Sequence, residues 1–218
     1  MTNVLISGVY PQRDGSYVQQ KQKAKKPDVA VESACPLHAT DAPTKVLRYK
    51  PTREDEVMRI ALKRLNPIRS DFRLADYAQS FNWDQVTQEF RTQLHNNRDL
   101  DGLPARADYE WYAVVFRSKR RADCSNADLF EADERAYTEA FESTNGALLV
   151  YWFTGLDEDH NCLATCVWSE RDIARSVNSL PRHREAARLS ADVYVHYNID
   201  RYRITWVPEQ ETLDVAPW

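Results

Sequence analysis

The segment Gly146–Thr154, which reads GALLVYWFT, is apolar at almost every position. Successive side chains of a strand point to opposite faces of its sheet, so this run has no polar face to turn to water. Tyr109–Ser118 (YEWYAVVFRS) shows the same pattern. Both strands therefore require a sheet that is covered on its two faces, and this requirement limits the possible folds more than any other feature.

Downstream of residue 108, the predicted elements follow in the order strand, helix, strand, strand, helix, strand. Strand segments are rich in β-branched and aromatic residues, whereas helical segments carry apolar residues at helical spacing. Ser125 and Ser169 are expected to cap helices, each with an aspartate three residues later. The predicted strands are 109–118, 146–154, 162–168 and 199–206, and the predicted helical stretches are 125–142, 169–178 and 181–197. This order predicts a ferredoxin-like β-α-β-β-α-β fold of the α+β class.

Right-handed connections place the helices of such a unit on one face of the sheet. The helix-free face would then expose more than the few hundred Å² of apolar surface that soluble monomers usually tolerate. Its cover can come from helices at the N-terminus, from a second subunit, or from both. We expect a homodimer as the simplest solution.

The chain divides into four predicted regions. Residues 1–44 form a disordered polar and basic tail, 45–107 a helical extension with a linker, 108–208 the ferredoxin-like domain, and 209–218 a C-terminal tail. Within the extension, helices are predicted at 52–65 and 83–94, a short extended piece at 72–77 and the linker at 96–107.

Composition indicates an ordinary soluble protein. A net charge of -4 and a pI of about 5.8 argue against nucleic acid as the main partner, although lysines cluster at residues 21–26. The sequence contains no apolar run of the roughly 18–20 residues that span a bilayer, and its start does not resemble a secretory signal. The cysteine usage is typical of a reducing compartment, so we expect the cytoplasm, and the nucleus as a further location.

The segment from the second strand onward resembles a family of uncharacterised, largely fungal proteins. In that family a YWF strand leads into an N-L-A-T-C-x-W strand, and a P-x-H-x-x-A helix start follows. The matching residues here are Tyr151, Trp152 and Phe153; Asn161, Leu163, Ala164, Thr165, Cys166 and Trp168; and Pro181, His183 and Ala186. The resemblance covers roughly residues 72–206 and implies no established activity.

A wider resemblance is to dimeric α+β-barrel proteins, including the antibiotic-biosynthesis monooxygenase type. It implies a face-to-face dimer and a cavity beside the sheet for a small molecule. The expected function is binding of an aromatic or polyketide-like molecule, with a cofactor-independent oxygenase as the enzyme type and no cofactor. The alternative is a non-catalytic dimerisation or interaction module that uses the basic tail as its contact segment.

His183 is the candidate catalytic residue, because imidazole titrates near neutral pH and suits a general base or a haem ligand. A plain exposed histidine at a helix start is the alternative. Tyr151, Trp152, Trp168 and Arg182 are the candidate ligand-binding residues, and core packing explains the aromatic ones equally well.

Two further patterns are weaker. Arg201 and Arg203 flank Tyr202 on the last strand, where they either bind a carboxylate or form a solvated edge-strand face. The acidic turn 157–160 has the composition of a metal site, but four consecutive residues rarely converge on one ion. We therefore predict a hairpin there and no metal.

Overall fold

The computed structural model of the chain describes residues 46–124 and 127–218. Its centre is an antiparallel sheet with the strand order β2-β3-β1-β4-β5. The strands are β1 (Glu110–Arg120), β2 (Leu148–Phe153), β3 (Asn161–Trp168), β4 (Tyr194–Val207) and β5 (Thr212–Pro217). The order of β1 to β4 is that of the ferredoxin-like fold. The predicted fold class is confirmed.

Helices cover both faces of this sheet. They are α1 (Arg53–Ala61), α2 (Tyr77–Ser80), α3 (Trp83–Asn96), α4 (Ala127–Ser143), α5 (Arg171–Ser176) and α6 (Pro181–Val193). Helices α1 to α3 pack on one face through a core that includes Trp111, Ala113 and Val115 of β1. The alternate residues Tyr112 and Val114 face α4 and α5. The N-terminal helices therefore occupy the face for which a second subunit was expected.

The region 45–107 is joined to the sheet by hydrogen bonds as well as by apolar contacts. The Tyr77 hydroxyl lies 3.0 Å from Thr165 Oγ1 of β3. Arg59 of α1 donates to the carbonyl oxygen of Gly146 at 2.6 Å. Trp111 Nε1 donates to the buried carboxylate of Asp55 at 2.8 Å. These contacts make the extension one layer of a three-layer domain.

The segment 209–218, predicted as a tail, contains strand β5. Trp206 pairs with Leu213 across the β4–β5 ladder, and Leu213 is buried against the α1–α3 face. Strand β5 pairs with Tyr202–Val207 of β4, so this part of β4 is interior to the sheet. The edge position predicted for Arg203 is therefore wrong, whereas Arg201 lies just outside the β4–β5 ladder, and both side chains are exposed.

Other differences are local. Residues 72–77, predicted as extended, form turns that lead into α2. Helix α6 ends at Val193 rather than near residue 197, because β1 continues to Arg120 and pairs with Tyr194. Helix α5 has Glu170 rather than Ser169 at its N-cap position. The capping pattern predicted at Ser125, like the tail 1–44, lies outside the described residues.

A β-bulge changes which side chains of β2 share a face. The register shifts between Leu148 and Val150. As a result Leu148 and Tyr151 pack toward α4 and α5, while Leu149 and Trp152 pack under the N-terminal helices. A bulge of this kind adds one residue to a strand and offsets the regular alternation.

Candidate functional site

A cavity of about 420 Å³ lies between the sheet and the layer of helices α4 to α6. Helix α6 packs against α4, and each of its residues, His183 among them, keeps part of its surface accessible to solvent. The α6 residues that line the cavity include Ala186, Ala187 and Ser190, whose small side chains do not fill the space above the sheet. The cavity thus follows from the side-chain sizes on one helix.

Aromatic side chains form much of the cavity wall. Phe116 of β1 and Phe153 of β2 both pair with Ala164 of β3, so a small residue lies between two large ones at the centre of the floor. Helix α4 contributes Phe130 and Tyr137 to the opposite wall. Walls of this composition suit an apolar or aromatic molecule.

A carboxyl and a phenol form a hydrogen-bonded pair in this wall. The Tyr151 hydroxyl donates to Asp133 Oδ2 at 2.6 Å. Burial raises the pKa of the Asp133 carboxyl, while the hydrogen bond from Tyr151 and the charge of Arg120 oppose this rise. Burial, followed by the nearby Asp133 charge, raises the pKa of Tyr151 well above its ordinary value. The pair can therefore hold a proton in a largely apolar cavity.

Arg120 ends strand β1 at the same part of the cavity. Arg120 is 5% exposed, and its guanidinium carbon lies 4.8 Å from the centre of the Phe130 ring. A guanidinium group stays charged even when it is buried. Arg120 therefore supplies a fixed positive charge close to Asp133.

His183 enters the cavity from the first turn of α6. Pro181 begins this helix, which suits a residue with a fixed φ and no N–H to satisfy. Burial lowers the pKa of His183 below its ordinary value. The imidazole is therefore neutral near pH 7 and is able to accept a proton.

The candidate residues separate into two groups. His183, Tyr151 and Trp168 all line the cavity. Trp152 packs on the opposite face of the sheet, because neighbouring strand residues point in opposite directions. Arg182 is exposed, and its guanidinium pairs with Glu185 at 3.0 Å on the outside of α6.

Asp133 and Arg120 were not among the candidates from the sequence. Asp133 follows Phe130 by three residues and precedes Tyr137 by four, so a charged residue interrupts the apolar stripe of α4. That interruption could have identified Asp133 as a candidate site residue from the sequence. Arg120 lies two residues beyond the predicted end of its strand and carried no comparable signal.

The thiols in the cavity wall are poor nucleophiles. Cys162 Sγ donates to the Thr154 carbonyl at 3.2 Å, and Trp168 Nε1 donates to Cys166 Sγ at 3.0 Å. Burial raises the pKa of both thiols, that of Cys166 to about 12. A thiol with a raised pKa is protonated at neutral pH and reacts slowly.

Within residues 46–124 and 127–218, no group of His, Cys, Asp or Glu side chains is arranged to hold a metal ion. The same ranges contain no helix long and apolar enough to cross a membrane.

Replacement of Asp133 by asparagine is expected to stabilise the protein by up to about 2 kcal/mol at neutral pH. The folded-state pKa of Asp133 is raised, so folding takes up a proton. Stability from this group therefore falls as pH rises from the unfolded value of about 3.9 through the folded value. The asparagine side chain does not titrate, so the variant does not lose this stability as pH rises, and its free energy of unfolding should vary less with pH.

Urea denaturation between about pH 4 and about pH 8 measures this difference. Glu134→Gln is the matched control, because Glu134 is the next residue of α4 and is exposed. A clear loss of stability in Asp133→Asn at neutral pH would contradict the expectation. It would show that the carboxylate supports the fold.

Three solved structures are similar to part of the chain. A Chloroflexus aurantiacus J-10-fl protein, named for antibiotic biosynthesis monooxygenases, is 13% identical and covers 44% of this chain and 93% of its own, with a TM-score of 0.36. A dimeric ferredoxin-like protein of unknown function from Thermobifida fusca is 14% identical and covers 42% and 89%, with a TM-score of 0.34. A dimeric protein of unknown function from Bacteroides fragilis NCTC 9343 is 15% identical and covers 42% and 94%, with a TM-score of 0.32. The ferredoxin-like fold of this chain is assigned from its strand order.

A relative at higher identity is the UPF0643 protein PB2B2.08 of Schizosaccharomyces pombe. It is 28% identical over 135 residues, which are 59% of this chain and 58% of the relative. The match thus spans under two thirds of that relative's length. The model of the PB2B2.08-like family matches residues 39–217, which include every described strand and helix. The resemblance to a family with fungal members is thereby confirmed, and the chain belongs to the PB2B2.08-like family.

Proposed function

We propose that the protein binds a small, largely apolar molecule of the aromatic or polyketide-like kind in the cavity between the sheet and helices α4 to α6. The observation that carries the proposal is the cavity of about 420 Å³ with aromatic walls. Ligand sites usually have volumes of roughly 300–1,000 Å³, apolar walls and a few polar groups. His183 and the Tyr151–Asp133 pair are such groups here.

Proton transfer is the chemistry that these polar groups support. In the proposed reaction, which is that of a cofactor-independent oxygenase, the neutral His183 imidazole acts as the general base that removes a proton from the bound molecule. Burial lowers the pKa of His183 and so favours the neutral imidazole, the form that accepts a proton, although the same burial makes it a weaker base. The Tyr151–Asp133 pair is a second place where a proton is held. Binding is the primary proposal, and catalysis is its extension.

Replacement of Ala164 by phenylalanine tests the binding proposal. Ala164 lies on the cavity floor between Phe116 and Phe153, so a larger side chain there takes the space of the ligand. The neutral fluorescent probe N-phenyl-1-naphthylamine is expected to bind the wild type, and Ala164→Phe should weaken its affinity by at least about tenfold. Fluorescence titration measures both affinities.

Ala191→Phe provides the matched control, because Ala191 is exposed on α6 and does not line the cavity. Its affinity for the probe should equal that of the wild type. Equal binding to the wild type and to a folded Ala164→Phe variant would place the probe elsewhere and contradict the proposal. Circular dichroism establishes that both variants are folded.

The homodimer remains a proposal without its original basis. It was expected because one sheet face lacked cover, and helices α1 to α3 provide that cover. The alternative function, a non-catalytic dimerisation or interaction module, has the basic tail of residues 1–44 as its contact segment, and this tail lies outside the described residues. A dimer of this chain would have to form through another surface.

We also propose the cytoplasm or the nucleus as the location. Cys162 and Cys166 lie four residues apart on one strand, a separation of roughly 13 Å, which is too long for a disulfide. Unpaired thiols of this kind are typical of reducing compartments.

A further inference from the structure

The charge of the cavity lining is opposite in sign to that of the whole chain. The chain carries a net charge of -4. The charged residues that line the cavity are, however, one carboxylate, Asp133, and a larger set of arginines: Arg120, Arg171, Arg175 and Arg201. A cationic surface in an acidic protein favours a ligand of negative charge.

Three of these arginines belong to one end of the cavity. Arg171 and Arg175 are one turn apart on α5, which begins just after strand β3 ends at Trp168. The guanidinium carbon of Arg171 lies 5.3 Å from the centre of the Trp218 ring. The backbone N–H of Trp218 donates to the carbonyl oxygen of Arg201 at 2.9 Å, which joins the end of the chain to β4 at Arg201. The Trp218 ring itself also contacts Arg203, whose guanidinium carbon lies 4.6 Å from the ring centre and which pairs with Glu110 at 2.9 Å. We call Arg171, Arg175 and Arg201 the arginine rim.

The arginine rim is exposed and has no acidic partner. Within the described ranges, none of its guanidinium nitrogens lies within 4.0 Å of a carboxylate oxygen. Some exposed arginines are paired, as Arg182 is with Glu185 and Arg64 with Glu89, whereas Arg98 and Arg188 also have no carboxylate within 4.0 Å in the described ranges. Unpaired guanidinium groups beside an aromatic cavity are available to a ligand, and their planar fork of donors matches a carboxylate.

We propose that the ligand is an aromatic carboxylic acid, whose ring system lies in the cavity and whose carboxylate is bound by the arginine rim. This inference rests on the proposed function and narrows its ligand class. Ion pairing by exposed arginines adds affinity and selects acids over neutral molecules of the same shape. The apolar wall then sets the size of the ring system.

A matched pair of ligands tests the role of charge. 2-Naphthoate and 2-naphthamide share one ring system and differ in charge, and each is measured by displacement of N-phenyl-1-naphthylamine from the full chain. We expect 2-naphthoate to bind at least about tenfold more tightly, as hydrogen bonds to charged groups predict. Raising the salt concentration from about 0.05 M to about 0.5 M should weaken binding of the acid and leave the amide unchanged.

The double variant Arg175→Gln/Arg201→Gln tests the residues. Its affinity for 2-naphthoate should fall by about tenfold, and its affinity for the amide should stay the same. Arg188→Gln is the control, since Arg188 is exposed on α6 and does not line the cavity. It removes a similar charge and should change neither affinity.

The outcomes separate this inference from the proposed function. Equal affinity for acid and amide in the wild type, or an equal loss for both in the double variant, would overturn the acid ligand while small-molecule binding stands. Displacement of the probe by neither compound would also overturn the acid ligand. Failure of the probe itself to bind would overturn the proposed function, and the inference with it.

Discussion

Replacement of Arg106 by methionine is expected to lower the free energy of unfolding by about 3–5 kcal/mol, the cost of leaving a buried charge without its partner. The side chain of Arg106 is 6% exposed, and that of Asp55 is 0% exposed. Arg106 Nη1 donates to Asp55 Oδ1 at 2.8 Å. Its Nη2 donates at 2.7 Å to the carbonyl oxygens of Glu110 and Ser169.

The contacts of Arg106 explain the size of the expected loss. One side chain connects α1, the start of β1 and the residue after β3, so its removal loosens the N-terminal helices from the sheet. Burial raises the pKa of Asp55, and the charge of Arg106 opposes that rise. The methionine variant keeps the burial and loses the opposing charge. Asp55 then takes up a proton or remains as an unpaired charge, and both outcomes cost free energy.

Urea denaturation at neutral pH measures the loss. Arg98→Met is the control, because Arg98 is exposed in the same segment, and its change should stay within about 0.5 kcal/mol. The double variant Arg106→Met/Asp55→Asn removes the lone charge and keeps an acceptor for Trp111. It should recover part of the stability. A loss below about 1 kcal/mol in Arg106→Met would contradict the buried pair as a main link between helices and sheet.

Replacement of Trp152 by alanine is expected to cost about 3–5 kcal/mol of stability without changing affinity for the probe. Trp152 is 6% exposed, and its ring lies edge-on to Phe81 at 5.1 Å and to Phe72 at 6.2 Å. This decrease in the free energy of unfolding is expected because the substitution removes a large side chain from a packed core. The ligand cavity lies on the other side of the sheet.

The neighbouring variant Tyr151→Phe provides the contrast. It removes the hydroxyl that donates to Asp133 and should cost about 1 kcal/mol, as a single hydrogen bond does. Because Tyr151 lines the cavity, this variant should change probe affinity where Trp152→Ala does not. Trp152→Leu repeats the measurement in a milder variant if the alanine variant does not fold. A change in affinity beyond about twofold in a folded Trp152 variant would contradict the assignment of Trp152 to the opposite face.

The fold could be predicted from the sequence because the strand and helix signals in residues 110–207 agree with the long-range contacts of these residues. Strand β5 could not be predicted, because the stretch Thr212–Pro217 is short and polar in part. Pairing with β4, and burial of Leu213 beneath α3, decide that it is a strand. Tertiary context of this kind overrides local propensity.

The site shows a similar limit. The chemistry of imidazole and a helix start marked by Pro181 single out His183, and aromatic character singles out Tyr151 and Trp168 as residues of a ligand site. The grouping of Trp152 with Tyr151 disregards strand alternation, which was available in the sequence. Asp133 could have been predicted from the sequence, because it is a charged residue on an apolar helix stripe. The arginine rim could be identified only from the structure. Trp218 and α5 meet only once the sheet is formed.

The order of elements along the chain also affects how the protein is made. Helices α1 to α3 precede every strand, whereas β5 is the last element. Leu213 N–H nevertheless donates to Thr87 Oγ1 at 3.3 Å across a separation of 126 positions. Contacts this distant close large loops and slow folding. During synthesis the N-terminal helices emerge before the sheet that they cover, so their apolar faces stay without that cover until the strands have been made, and exposed apolar surface of this kind favours aggregation.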